Sequence, residues 1–318
     1  MTARKAIPMS EYHQPVLVDE VAFWLNPTPG GIYIDATLGG GGHSEMLLEK
    51  SSPKGIVLGV DRDSEALEYA SQRLARFGER FTAVKGNFKD IPKLLVEYSG
   101  RVNGYLMDLG VSSHQLDSPR GFSFMRDEPL DMRMDTADDI PTAADVVNTY
   151  TKDELATILR EYGEEKHWNR LSNAIVKARQ LHPIRTTGEL ATIIRDDVGG
   201  FYRKEPIDPC TRSFMAIRLE VNQELDAIRY AIPGAVKMLA PGGRLVVISF
   251  HSLEDRIAKT EFRRLSGRCQ CPPRAPECRC GAVSRVKILT SKPVSPGEAE
   301  AETNVRSRSS KLRCVEKL

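Results

Sequence analysis

Residues 121 to 135, Gly-Phe-Ser-Phe-Met-Arg-Asp-Glu-Pro-Leu-Asp-Met-Arg-Met-Asp, bring cations, carboxylates and aromatic rings together in a pattern that neither a helix nor a strand requires. Phe122, Phe124, Met125, Leu130, Met132 and Met134 follow neither a 3.6 nor a 2.0 period, and Asp127, Asp131 and Asp135 recur every fourth residue among Arg126 and Arg133. The stretch reads as an active-site loop. Upstream, Asp35-Ala-Thr-Leu-Gly39-Gly-Gly-Gly42-His43 places four consecutive glycines between a strand pattern and a helix pattern, where missing Cβ atoms let a ligand lie against the backbone. A nucleotide-like ligand suits that loop, and a tight structural turn is the alternative. The dinucleotide fingerprint is absent, because G-x-G-x-x-G begun at Gly39 or Gly40 needs a third glycine where Ser44 or Glu45 stands. A nucleotide-dependent oxidoreductase is disfavoured on that spacing.

Asp61 closes the apolar run Gly55-Ile-Val-Leu-Gly-Val60, where a carboxylate is placed to accept both hydroxyls of an adenosine ribose. Its other reading is a helix N-cap, since Asp61 and Asp63 both precede a helix pattern. Gly86-Asn-Phe88 follows a third strand pattern, and Phe88 is either a flank for an adenine or a core residue. Asp108 ends a fourth strand at the topological switch point, where open α/β sheets bind their ligands.

The elements that must position these groups alternate. Strand patterns at 31–35, 55–61, 81–84 and 104–108 are separated by helix patterns, including one with Ala66, Leu67, Ala70 and Leu74 on one face and another near 91–98. This is a doubly wound α/β start. More than a hundred residues then intervene before Gly243-Arg-Leu-Val-Val-Ile-Ser249, far beyond the roughly 30 of one βαβ unit. Thr151-Lys-Asp-Glu154 and Thr186-Thr-Gly-Glu189 are capping-box patterns within that stretch, with a helix pattern over 168–181 between them. Three segments follow: 1–116 as the first part of the α/β domain, 117–210 as a mostly helical insertion, and 211–318 as the second part. The last segment begins with one long helix carrying Phe214, Ile217, Val221, Leu225 and Ile228, and it ends with runs 285–290 and 311–315 that predict an antiparallel pair completing the sheet.

Charge is distributed unevenly. The net +2 divides into +9 from Arg256 onward and −7 before it, so the C-terminal segment either faces a polyanion or is a solvated basic tail. No apolar run reaches the ~20 residues of a membrane span, and the N-terminus lacks the apolar core of a secretory signal. The cytoplasm is the expected location. Of six cysteines, Cys269-Gln-Cys271 and Cys278-Arg-Cys280 bracket a proline-rich turn. Two C-x-C pairs depart from the usual C-x2-C spacing, so no metal is expected, with reduced thiols favoured over zinc and over disulfides.

Taken with Asp108-Leu-Gly-Val-Ser-Ser113 and Ile248-Ser-Phe-His-Ser-Leu-Glu-Asp255, the 121–135 stretch resembles the RsmH (MraW) family from about Tyr12 to the C-terminus. That family methylates N4 of a cytidine in bacterial small-subunit (16S) ribosomal RNA. The resemblance implies a class I, Rossmann-like, S-adenosylmethionine-dependent methyltransferase sheet with a helical insertion that recognises substrate. It implies cofactor contacts at Gly41, Gly42, His43, Asp61, Phe88, Asp108 and Gln115, and a partner that is 16S RNA within the small subunit or a late assembly intermediate, with no DNA and no membrane. The reaction needs an acceptor for an N4 hydrogen, for which Asp108, Ser112 and Ser113 are the catalytic candidates. No cysteine lies near the fourth or fifth strand, so direct in-line transfer is expected rather than a covalent enzyme–base intermediate. Phe122 and Phe124 are candidates to stack on the cytosine or to anchor the loop, Arg126 and Arg133 to hold phosphates, and His251 to contact substrate or serve structure. An RNA-binding assembly factor that binds the cofactor without turnover is the alternative.

Overall fold

The computed structural model describes residues 15–110, 118–205, 207–269, 271, 277 and 279–318. Two compact units divide the chain: Met1–Gly110 with Leu225–Leu318, and Val111–Glu224.

The first unit is built on seven strands: β1 (Ile32–Asp35), β2 (Ile56–Asp61), β3 (Phe81–Lys85), β4 (Val102–Asp108), β5 (Leu239–Ser249), β6 (Val286–Ile288) and β7 (Lys311–Lys317). Their order is β3-β2-β1-β4-β5-β7-β6. The first five are parallel, and β7 runs antiparallel to both β5 and β6. This is the class I methyltransferase arrangement that the resemblance implies, completed by the antiparallel pair expected at the C-terminus. Strands enclosed on both faces must be apolar throughout, and Val57, Leu58 and Val60 of β2 and Leu245 to Ile248 of β5 are buried. Helices α1 (Val18–Leu25), α2 (Gly42–Lys50) and α3 (Ser64–Leu74) follow from the same logic, α3 burying Ala66, Ala70 and Leu74. The pattern near 91–98 yields only a short α-turn, Ile91–Leu94, and a 3-10 turn, Val96–Tyr98. Because β1, β2, β4 and β5 are parallel, Asp35, Asp61, Asp108 and Ser249 all end their strands at one edge of the sheet.

The second unit is helical: Ala143–Thr149, Lys152–Glu161, Trp168–Arg179, Thr187–Val198 and Cys210–Asn222. Thr151 with Glu154 and Thr186 with Glu189 form the expected capping boxes, and Thr142 with Asp145 forms a third. The insertion extends past residue 210, because Phe214, Ile217 and Val221 pack into its core. The single long helix expected over this region is instead two, Cys210–Asn222 and Glu224–Met238, parted at Gln223, whose φ of 52° is left-handed and ends the first helix. No helix among the described residues is long and apolar enough to cross a membrane.

The basic C-terminus is partly internal. Arg313 in β7 is 7% exposed and makes a two-pronged bond to Asp255, at 2.6 and 3.0 Å, from the helix Ser252–Leu265. It is therefore a structural cation and leaves the set of basic residues open to a polyanion. Arg313→Ala is expected to lower stability by about 1.5 to 3 kcal/mol, since it strands the Asp255 carboxylate. Lys311→Ala, at a less buried site, should change it by less than about 0.5 kcal/mol. Chemical denaturation of the two variants checks the contrast, and equal effects would remove Arg313 from the framework.

Candidate active site

Asp61 ties the glycine loop to the sheet. Its Oδ2 accepts the Gly39 N–H at 2.8 Å and its Oδ1 the Asp63 N–H at 2.9 Å, while the Leu38 N–H donates to the Val60 carbonyl at 3.0 Å. The helix-capping role expected as its alternative belongs to Asp63, whose carboxylate accepts the Glu65 N–H. Burial pushes the Asp61 carboxyl up to about 6 despite these two bonds. The loop itself turns through Gly39 and Gly41, at φ 48° and 76°, a region that glycine enters without strain. A Cβ on Gly41 would press on Leu74 and Ala70 at 3.2 and 3.3 Å, so α3 packs directly against bare backbone.

His43, in the first turn of α2, is 6% exposed, and its Nε2 lies 3.6 Å from Asp108 Oδ2. Among the described residues both of its ring nitrogens, and Asp108 Oδ1, are buried without a hydrogen-bond partner. Such atoms are costly unless something completes them. Asp108 is fixed through its backbone, whose N–H donates to Thr37 Oγ1 at 2.7 Å. Asp35, 1% exposed, accepts from Ser44 Oγ at 2.8 Å and from the Thr37 N–H at 3.3 Å. Burial raises its carboxyl, against which the nearby His43 and the Ser44 hydroxyl act. Asp35 and Thr37 are site residues that sequence reasoning passed over, although an acid ending the strand before a glycine loop was the available signal.

Phe88 is partly exposed and opens a short 3-10 turn after β3, capped by Asn87. Gly86 donates to the Asp61 carbonyl at 2.9 Å, so the β3 exit is tied to the same carboxylate-bearing residue. His251 is the N-cap of the helix Ser252–Leu265, in a capping box with Glu254, and its Nε2 lies 3.0 Å from Glu254 Oε1. The imidazole serves the helix start, the structural one of the two roles that the sequence left open. Ser112, Ser113 and Gln115 lie outside the described residues.

In the second unit the 121–135 loop is braced by its own residues. Phe122 is 7% exposed within the helical core, and Phe124 packs edge-on to Phe214 at 5.3 Å with Arg195 over its ring. Both rings therefore act as anchors, and Phe122 is too enclosed to stack on a base. Arg133 binds Asp131 through two nitrogens and the Asp138 carbonyl, and Arg126 pairs with Glu128 at 3.1 Å. Two of the regular acids have a local cause, Asp131 and Asp135 accepting the N–H groups of Arg133 and Ala137 two residues on, whereas Asp127 accepts the N–H of Gly188 from the start of a distant helix. Met132 is held at φ 60°, unusual for a bulky residue, while Asn222 donates to its carbonyl at 2.8 Å and accepts from Met134 N–H. The structure assigns Asn222 this bracing role.

The first unit thus offers a glycine backbone, a two-oxygen acceptor in Asp61, a partly exposed ring in Phe88, and uncompleted polar atoms on His43 and Asp108, all near one sheet edge. Comparison with known proteins gives the chain its family. A model described as the MraW methylase family matches residues 10–318. The chain is similar to proteins named "Ribosomal RNA small subunit methyltransferase H" from Geobacter sulfurreducens, at 51% identity over 98% of this chain and all of the relative, and from Carboxydothermus hydrogenoformans, at 51% over 96% and 98%. A third so named, from Geotalea daltonii, is 49% identical over 96% of this chain and 98% of its own length. With a family model spanning nearly its whole length and relatives half identical over the same extent, the chain belongs to the MraW methylase family.

Proposed function

We propose that this protein transfers a methyl group from S-adenosylmethionine to N4 of a cytidine in 16S ribosomal RNA, within the small subunit or a late assembly intermediate. The observation that carries the reading is Asp108: a carboxylate at the end of β4, fixed through its N–H to Thr37, with a buried oxygen lacking a partner among the described residues. The names of the relatives support the RNA, and the resemblance supplies the base.

The residues present fit the cofactor. Asp61 keeps lone pairs beyond its two backbone bonds to accept the ribose hydroxyls, the bare backbone of Gly39 to Gly42 admits a ligand, and Phe88 offers a ring to the adenine. When bound, S-adenosylmethionine supplies an electrophilic methyl carbon on a sulfonium. Asp108 would accept a hydrogen of the N4 amine and so favour localisation of its conjugated lone pair; the nitrogen–carbon bond would form in line as the methyl–sulfur bond breaks to leave the neutral thioether S-adenosylhomocysteine, and the N4 proton would leave through the carboxylate. A cysteine nucleophile has no place in this scheme. Cys210 and Cys314 are enclosed by protein, and burial pushes both thiols up to about 12. Loss of the methylated nucleoside from ribosomal RNA when the gene is deleted, and its restoration on isolated small subunits by the purified protein, test the proposal. A product methylated at C5 overturns the mechanism, and cofactor binding without transfer would make the protein an assembly factor.

Asp108→Ala should slow single-turnover transfer about 100-fold or more at saturating cofactor and RNA. A normal rate once saturated would confine Asp108 to binding. Asp61 yields a prediction with two opposite signs. Its folded carboxyl lies above the ordinary 3.8, so it contributes stability below that value that is lost as pH rises through about 6. Cofactor binding requires the ionised acceptor, so affinity should instead fall as pH drops through about 6, nearing tenfold per unit below it. Asp61→Asn should flatten that dependence and weaken binding by about 1.5 to 3 kcal/mol. Calorimetric titration from pH 5 to 8 checks both, and a slope retained in the variant would exclude Asp61 as its source.

A further inference from the structure

We propose that Cys269, Cys271 and Cys280 form a structural site for a thiophilic divalent cation, zinc in chemical class, that closes a basic knuckle between the helix Ser252–Leu265 and β6. The neck of the knuckle is pinned. Ser266 and Ser284 form an antiparallel bridge, the Arg285 N–H donates to the Leu265 carbonyl at 2.8 Å, and Gly267 turns at φ 76° where a Cβ would lie 2.9 Å from the Ser284 nitrogen. Beyond the neck the described residues supply little apolar packing to hold it. Every described residue from Arg268 to Arg285 is exposed except Cys271, which is intermediate, and Val283 is the one large aliphatic among them. A segment that buries so little needs a staple of another kind.

The thiols supply one. The three sulfurs lie within 4.8 Å of one another, and those of Cys269 and Cys280, eleven residues apart, are separated by 3.7 Å. A tetrahedral cation with metal–sulfur bonds of about 2.3 Å sets its ligand sulfurs about 3.8 Å apart, whereas a disulfide would draw the pair to about 2.05 Å. Backbone groups also support the sulfurs as acceptors: Cys271 N–H points to Cys269 Sγ at 3.4 Å and Arg279 N–H to Cys271 Sγ at 3.3 Å. The C-x-C spacing argued for plain thiols only while the pairs were considered along the sequence; the neck returns Cys280 to Cys269. A fourth position of the tetrahedron remains for another thiolate or for water. Cys278 lies outside the described residues. Binding exchanges three S–H bonds for metal–sulfur bonds and releases the protons to solvent.

Residues 263–285 carry six arginines and one glutamate, so the cation would order a concentrated positive surface. That use rests on the RNA reading above, while the metal site does not. The test uses the full chain, reduced and held without oxygen, with all six thiols confirmed by a thiol-reactive dye after chelation. Zinc or cobalt(II) is then titrated in. One cation per chain, a cobalt–thiolate charge-transfer band and slower proteolysis within 267–284 are expected. Cys269→Ser and Cys280→Ser should each lose the band and the protection while keeping S-adenosylmethionine affinity, which also reports folding. Sub-stoichiometric uptake by the fully reduced chain, or undiminished binding in Cys269→Ser and Cys280→Ser, would overturn the proposal. Because metal content and proteolysis are read without RNA, failure here is distinguishable from failure of the methyl-transfer reading.

Discussion

The bond from Gly39 N–H to the Asp61 carboxylate is the constraint on which the site depends. Parallel strands deliver every loop to the same edge of the sheet, and each loop must satisfy its backbone groups there while leaving room for a ligand. Asp61 answers both demands by accepting one N–H from the glycine loop and one from its own exit turn. Burial outweighs those bonds, as the upward displacement of its carboxyl shows. A carboxylate in that condition gains from any further donor, so a ligand hydroxyl would relieve a cost already present in the fold. Structural clamp and proposed ligand acceptor are therefore one group, whose replacement would perturb the loop as well as the contact.

The second pair of neighbours, β1 and β4, is organised by Thr37. Its hydroxyl receives the Asp108 N–H and its own N–H reaches Asp35, so one residue sets the backbone under two carboxylates. The register Asp35↔Leu106 lets this small residue span the strands. Asp35 is enclosed and satisfied by Ser44, whereas Asp108 retains an oxygen without a partner among the described residues, and His43 stands beside the latter. Equal chemistry in unequal surroundings separates a supporting acid from one available for work.

What the sequence disclosed followed periodicity and local chemistry. Near-continuous apolar runs located the inner strands, and Thr151 with Glu154 and Thr186 with Glu189 marked helix starts, because these signals act over a few residues. Acids at strand ends identified Asp61 and Asp108 for a similar reason. Residues that depend on distant partners were obscure. Phe122 stayed open between stacking and anchoring because the core that encloses it is assembled from helices 20 to 100 residues away, and the bracing role of Asn222 depends on carbonyl and N–H groups about 90 positions upstream. His251 stayed open between two roles for the opposite reason: a capping box begun by histidine instead of serine or threonine hides a local signal behind an unusual residue.

The positive C-terminal segment shows why a charge count and a charged surface differ. Arg313 is consumed by Asp255, Arg264 pairs with Glu261 at 2.7 Å, and the Arg308 side chain donates to the Ala301 carbonyl at 2.8 Å. These bonds hold side chains in place without removing them equally from solvent: Arg313 is internal, while Arg264 and Arg308 remain exposed. A polyanion responds to exposed charge, with affinity that depends on how many cations reach its phosphates. The knuckle between the helix Ser252–Leu265 and β6 satisfies that requirement better than β7, since Arg268, Arg279 and Arg285 are all exposed on one short excursion. Its weakness is entropic, because exposed arginines with little apolar packing among the described residues would have to be ordered at any contact with a polyanion. A rigid closure at Cys269, Cys271 and Cys280 would remove part of that cost beforehand, which ties the thiol cluster to the charge asymmetry through conformational entropy.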